Sequence, residues 1–180
     1  PYCDLLEVED EFYGTTSAGG DAGFGTLFKI TKEGVHTVLH SFAGTDGSFP
    51  YGSLIRATDG FLYGTAAGGG TLSHGCVFKM ALDGTVTVIY SFDGTNGSSP
   101  GNGALIQGAD GRLYGTTSSD LQNSKGTIYR VSTTGTHELL FRFNGSNGEE
   151  PFASLALGPD GAFYGVTGQG GAQDAGTIYR

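Results

Sequence analysis

Leu62-Tyr63-Gly64-Thr65 decides the reading of this chain, because it occurs four times. Its other copies are Phe12-Tyr13-Gly14-Thr15, Leu113-Tyr114-Gly115-Thr116 and Phe163-Tyr164-Gly165-Val166, with steps of 50, 51 and 50 residues between the tyrosines. A second block, Gly75-Cys76-Val77-Phe78-Lys79, keeps the same period as Gly25-Thr26-Leu27-Phe28-Lys29, Gly126-Thr127-Ile128-Tyr129-Arg130 and Gly176-Thr177-Ile178-Tyr179-Arg180. A third, around Ser41-Phe42, Ser91-Phe92 and Arg142-Phe143, has three copies. A proline opens each unit: Pro1, Pro50, Pro100 and Pro151. The units therefore run 1–49, 50–99, 100–150 and an incomplete 151–180, in one repeat domain.

Within a unit the apolar period is two, the signature of half-buried strands. Val86, Val88, Tyr90 and Phe92, with Thr87 and Ser91 between them, are expected on one face. Cys76, Phe78 and Met80 alternate in the same way. Asp59-Gly60, Asp110-Gly111 and Asp160-Gly161 lie between short apolar runs and read as two-residue hairpin turns. The second unit thus predicts strands near 53–57, 61–66, 76–81 and 85–92. Four short antiparallel strands per 50 residues is the measure of a β-propeller blade. The expected fold is all-β: three full blades and three strands of a fourth. Closure would come from the chain alone, from a homodimer completing a seven- or eight-bladed ring, or from a longer chain. A β-solenoid fits less well, since its repeats are shorter.

Glycine accounts for 34 of 180 residues, but 12 Phe and 9 Tyr are too many for a disordered chain. A net charge of −9, from 18 acidic against 9 basic side chains, argues against nucleic acid and against anionic membrane surfaces. No stretch of 18 apolar residues exists to span a bilayer as a helix. Pro1 to Asp10 does not read as a signal peptide, so the expectation is a removed leader or a start inside a longer chain. Cys3 and Cys76 are too few for a disulfide framework, though one bridge between them stays open.

Asp-Gly-x-Leu-Tyr-Gly-Thr, then Gly-Gly, then Gly-Thr-x-Phe-Lys, then Ser-Phe-x-Gly-x-x-Gly-x-x-Pro resembles the GloVer tandem repeat of the "choice-of-anchor" proteins over essentially the whole chain. That resemblance implies an exported protein, extracellular or periplasmic, and little about mechanism. Pro50, Leu54-Ile55, Asp59-Gly60 and Leu62-Tyr63 also resemble, more weakly, propellers of the NHL and gluconolactonase type. This second likeness implies an innermost strand after each proline, and a calcium ion near the ring axis polarising a lactone carbonyl.

Repeated residues read as structural, with Tyr13, Tyr63, Tyr114 and Tyr164 expected between blades. Function is sought where one copy departs from the rest. Asp4, Asn102, Glu149 and Glu150 depart near inner-strand starts and supply the oxygen ligands calcium takes. Glu149 and His74 are the candidates for activating water. Asp120, Gln122 and Asn123 replace loop glycines of the other units. All of these also read as solvated loop residues. His36 and His40 lie too far apart on one strand to chelate a metal together. No nucleophile elbow or Ser-x-x-Lys motif occurs. Two functions remain: a calcium-dependent hydrolase of sugar or acyl-homoserine lactones, and a binding module that reads glycans or proteins. In the second, Phe49, Tyr51 or Phe152 would stack on sugar faces.

Overall fold

The computed structural model describes residues 2–101 and 103–180. Every regular element among them is a strand, and the strands form four antiparallel sheets that follow the repeat. The first sheet is β1 (Leu6–Val8), β2 (Glu11–Thr16), β3 (Thr26–Thr31) and β4 (His36–Ser41), in that order. The second repeats it with β5 (Ile55–Arg56), β6 (Leu62–Ala66), β7 (Cys76–Met80) and β8 (Val86–Ser91). The third adds β9 (Ser98–Pro100) to β10 (Ile106–Gln107), β11 (Leu113–Ser119), β12 (Thr127–Val131) and β13 (His137–Arg142). The fourth has β14 (Ala156–Leu157), β15 (Phe163–Val166) and β16 (Ile178–Tyr179).

The blades are glued by apolar side chains at each junction. Tyr13, Leu27 and Phe42 of the first blade share a cluster with Leu54, Leu62, Phe78 and Met80 of the second. Tyr63, Val77 and Phe92 of the second share one with Leu105, Leu113, Tyr129 and Val131 of the third. Tyr114 meets Phe163 at 4.6 Å between ring centroids, which continues the pattern into the fourth blade. The expected placement of the first three repeated tyrosines between blades therefore holds.

Two local readings need correction. The strand of Val86 to Ser91 does not keep one apolar face, because a β-bulge at Ile89 shifts the register: Val77 faces Tyr90 but Phe78 faces Val88. Val86 and Val88 consequently pack toward the first blade, and Ile89 and Tyr90 toward the third. The bulge recurs at Leu39 and Leu140. A bulge re-aims side chains, and simple alternation carries no sign of it. The Asp-Gly turns also differ from two-residue hairpins. The Ala57 N–H bonds to the Phe61 carbonyl, and Gly60, at φ 85°, donates back to Ala57, enclosing three residues. Such a turn ends in a left-handed residue, the place glycine fills most easily. At the corresponding place the first blade has a two-residue turn, Glu9-Asp10, with both residues at positive φ.

Blade connections also tie across. β9 pairs with β11 through Ser98↔Ser119 and Pro100↔Thr117. Single bridges Ser48↔Gly68 and Glu149↔Gln169 do the same at the other two junctions.

Candidate functional site

Each blade has two unlike ends. At one end lie the tight hairpins, where the repeated chemistry holds the blade together. Tyr63 donates to Asp59 at 2.7 Å, Tyr114 to Asp110 at 3.0 Å and Tyr164 to Asp160 at 2.9 Å. Tyr13 donates to Glu11 at 2.9 Å, because the shorter first turn moves the acid. The basic residue closing each Gly-Thr-x-Phe-Lys block joins that acid: Lys29 to Glu11 at 2.6 Å and Arg180 to Asp160 at 2.9 Å. Arg130 contacts Asp110 at 3.5 Å and Glu138 at 2.8 Å. Lys79 departs and lies 4.1 Å over the Phe61 ring. The Lys29 and Tyr13 hydrogen bonds hold the Glu11 carboxyl below its ordinary range. Burial pushes the Tyr13 hydroxyl up to about 12. These groups are occupied with one another, and the repetition marks them as structural.

At the other end, the loop from second to third strand meets the connection to the next blade. Here the backbone repeats and the side chains do not. The residue before each internal proline, Phe49, Ser99 or Glu150, is left-handed, with φ of 54–55°. Its N–H donates to the carbonyl of Phe24, His74 or Lys125 in turn. Non-glycine residues are held in that conformation only where the surroundings fix them. At the first of these junctions Phe24 meets Phe49 edge to face at 6.1 Å. At the second, His74 Nδ1 lies 3.4 Å from Ser98 Oγ. At the third, Lys125 pairs with Glu149 at 2.6 Å. One scaffold thus carries an aromatic pair, an imidazole–hydroxyl pair and an ion pair.

The sequence-expected site residues divide between this end and the inner strands. Glu149 and Glu150 both lie at the third junction; Glu149 is engaged by Lys125, and Glu150 accepts from the Gln169 amide at 3.1 Å. His74 belongs to the second junction, one blade away. Asp4 is exposed two residues before β1, where its N–H donates to Ser53 Oγ at 2.9 Å. Asn102 lies outside the described residues. Among the described residues, no three His, Cys, Asp or Glu side chains gather as a metal would need. Asp4, Glu149 and Glu150 do not form such a group among the described residues. Both cysteines are free thiols, so the open bridge is not made.

Asp120 proves to be a structural anchor. Buried, it accepts from the N–H groups of Gln122, Asn123 and Ser124, and it pairs with Arg142. Arg142 reaches on to the Thr95 carbonyl of the preceding blade. Lys125 was missed by sequence reasoning, although a signal existed. It occupies the position just before the repeated glycine, which reads Phe24, His74, Lys125 and Ala175 while its surroundings repeat.

Inner strands follow one another in blade order. A Cβ on Gly52 would meet the Gly103 carbonyl at 2.8 Å, and one on Gly103 the Ser154 nitrogen at 2.6 Å. The Ala104 N–H donates to Ser154 Oγ at 2.8 Å, repeating the Asp4–Ser53 contact. Just before these strands stand Tyr2, Tyr51 and Phe152, each following its proline. Tyr2 and Tyr51 meet edge to face at 5.6 Å. Tyr2, Phe49 and Phe152 are exposed, and Tyr51 is half-buried. Near Phe24, a shallow hollow of about 360 Å³ is lined by Gly44, Thr45, Ser48, Gly69 and Ser73.

The model of the Gloeobacter/Verrucomicrobia repeat matches residues 1–118 and 102–180, which together cover the chain. No curated protein matches the sequence. Among solved structures, a gluconolactonase of Xanthomonas campestris is similar at 17% identity and a TM-score of 0.57, with 86% of this chain and 51% of that one covered. An α-L-arabinofuranosidase of Clostridium thermocellum is similar at 15% identity and a TM-score of 0.52, covering 97% and 65%. At such identities the likeness establishes a propeller-type fold, and fold alone does not fix function. The chain spans about half the length of the gluconolactonase.

Proposed function

We propose that this chain, which belongs to the Gloeobacter/Verrucomicrobia repeat family, carries a carbohydrate-binding surface at the loop end of its blades. One observation carries the reading: Tyr2, Tyr51 and Phe152 occupy corresponding places at the starts of three inner strands, with aromatic surface open to solvent. Aromatic faces with a polar surround suit the C–H faces and hydroxyls of a sugar ring. The surround is present in Glu150 and Gln169 of the third junction. The exported location implied by the resemblance agrees with glycan as the ligand.

The test is titration of the chain with a panel of neutral mono- and oligosaccharides, followed by amide NMR. Shifts confined to the loop end, weakened about tenfold by Tyr51→Ala or Phe152→Ala, are expected. Saturating shifts unaltered in both variants, or no shifts with any sugar, would overturn the reading.

A second reading is hydrolysis of sugar or acyl-homoserine lactones. His74 favours it, half-buried at the loop end with a hydroxyl 3.4 Å from Nδ1, a place from which a neutral imidazole can take a proton from water. Here the test is lactone turnover with added calcium and with EDTA, in the wild type, His74→Ala and Glu149→Gln. Turnover lost in His74→Ala supports this reading; no turnover in either buffer removes it.

A further inference from the structure

The three junctions between blades share one backbone and differ in what fills them. The N–H of Gly70, Leu121 or Gly171 donates to the carbonyl of Gly44, Gly94 or Gly145 in turn, at 2.8–2.9 Å. At the second junction the Leu121 side chain lies over Gly94, 2.5 Å from where a Cβ there would stand, with His74 Nε2 at 3.1 Å. At the third, Lys125 and Glu149 lie over Gly145 at 3.7 and 3.9 Å. At the first, Gly70 brings no side chain, and the nearest atoms over Gly44 are those of the Phe24 ring, from 3.4 Å outward. The space left there is the hollow of about 360 Å³.

One group in this hollow is out of balance. Ser48 is 5% exposed and borders the hollow, yet its hydroxyl has no hydrogen-bond partner among the described residues. Its two counterparts each have one: Ser98 Oγ meets His74, and Glu149 meets Lys125. The partner is missing because Phe24 stands where His74 and Lys125 stand in the later units. A buried hydroxyl without a partner is costly, so a ligand group that donates or accepts there is favoured. The nearby Asp46 is spent on its own loop: it accepts from the Ala43 N–H at 2.8 Å and lies 2.7 Å from His40 Nε2. Those contacts fix the loop that forms one wall.

We propose that this hollow is a subsite for one neutral sugar ring, with a ring hydroxyl supplying the partner that Ser48 lacks. The proposal rests on the carbohydrate reading for the class of ligand, but it places the sugar on different residues from Tyr2, Tyr51 and Phe152. Phe24 gives an apolar wall for C–H groups, Thr45 and Ser73 give further hydroxyls, and none of the lining residues is charged. A sugar hydroxyl both donates and accepts, as the Ser48 hydroxyl does. An ammonium or carboxylate would lose water in this hollow and gain no opposite charge from its lining.

The test is amide NMR of the chain titrated into the millimolar range with glucose, galactose and mannose, and with glucosamine and glucuronate as charged controls. Saturable shifts at Gly44, Thr45, Gly70 and Ser73 are expected with a neutral sugar. Ser48→Ala is expected to weaken them about fivefold, and to leave the sugar-free chain no less stable, since it removes an unpartnered hydroxyl. The double variant Phe24→Lys/Ser48→Glu installs the pair that the third junction already accommodates, and is expected to abolish them. Shifts at Tyr51 and Phe152 with none at the hollow overturn this inference and leave the proposed surface standing; no shifts with any sugar remove both. Hollow shifts unaltered by Ser48→Ala, or as strong with the charged sugars, also overturn it.

Discussion

The carbonyl oxygen of Ile89, the residue bulged out of β8, lies 2.2 Å from where a Cβ on Gly135 would stand. Leu39 of the first blade lies over Gly84 of the second in the same way, with its carbonyl at 2.8 Å. A bulge on one blade and a hairpin glycine on the next are thus parts of one joint. Gly34, the first copy of that glycine, has nothing within 4 Å.

This contrast gives a paired experiment. Gly34→Ala meets only the cost of a left-handed alanine, about 1–2 kcal/mol. Gly135→Ala meets that cost and a collision with rigid backbone, about 2–4 kcal/mol together. Urea unfolding of the two variants checks the difference. Equal losses would mean that the joint does not hold the blades.

Hydroxyl deletions separate paired from orphaned tyrosines. Tyr63→Phe removes a 2.7 Å hydrogen bond to Asp59 and is expected to cost about 1 kcal/mol. Tyr129→Phe removes a buried hydroxyl that has no partner among the described residues, so it is expected to be neutral or stabilising by about 1 kcal/mol. Melting temperatures that fall equally in both variants would refute the assignment.

His137 supplies a pH dependence. Its ring stacks on Tyr90 at 4.2 Å and 4°, and its Nε2 is buried without a partner among the described residues. Burial lowers its pKa from the ordinary 6.5, against the opposing pull of Asp93 and Glu138. Below 6.5 the unfolded chain takes up a proton that the folded chain refuses, so stability falls as pH falls. The contribution is complete above 6.5 and lost toward the lower folded pKa. His137→Phe is expected to flatten the stability profile as pH falls below 6.5. An unchanged slope in the variant would show that another group is responsible.

Thiol labelling reads the first junction, where the Cys76 thiol donates to the Asp46 carbonyl of the first blade. Cys76 is fully buried and its thiol is pushed up to about 12, chiefly by burial, whereas Cys3 is half-buried. Iodoacetamide at neutral pH is expected to modify Cys3 alone in the native chain, and both cysteines in urea. Rapid modification of Cys76 without denaturant would mean that the first two blades open readily.

The repeat, the strand number and the packing of the tyrosines were legible because each depends on residues that recur at the 50-residue spacing. Cys76, Phe78 and Met80 share a face as their alternation implies, since β7 is regular. The face of Val88 and Tyr90 was not legible, because one bulged residue between them reverses every position beyond it. The candidate site was legible only as a set of departures. Sequence position placed Glu149 and Glu150 beside a proline, but not Lys125 against Glu149 or Asp120 under Arg142. Those contacts join loops 22–24 residues apart, and no local pattern encodes them.

Because blades touch only their neighbours, the joint of Ile89 and Gly135 also sets how the molecule comes apart. Its stability is a chain of nearest-neighbour couplings with no common centre to melt at once. Amide hydrogen exchange should therefore grade along the polypeptide. The three-stranded fourth sheet should exchange soonest, and the second, jointed on both sides, should be the last to yield its protons.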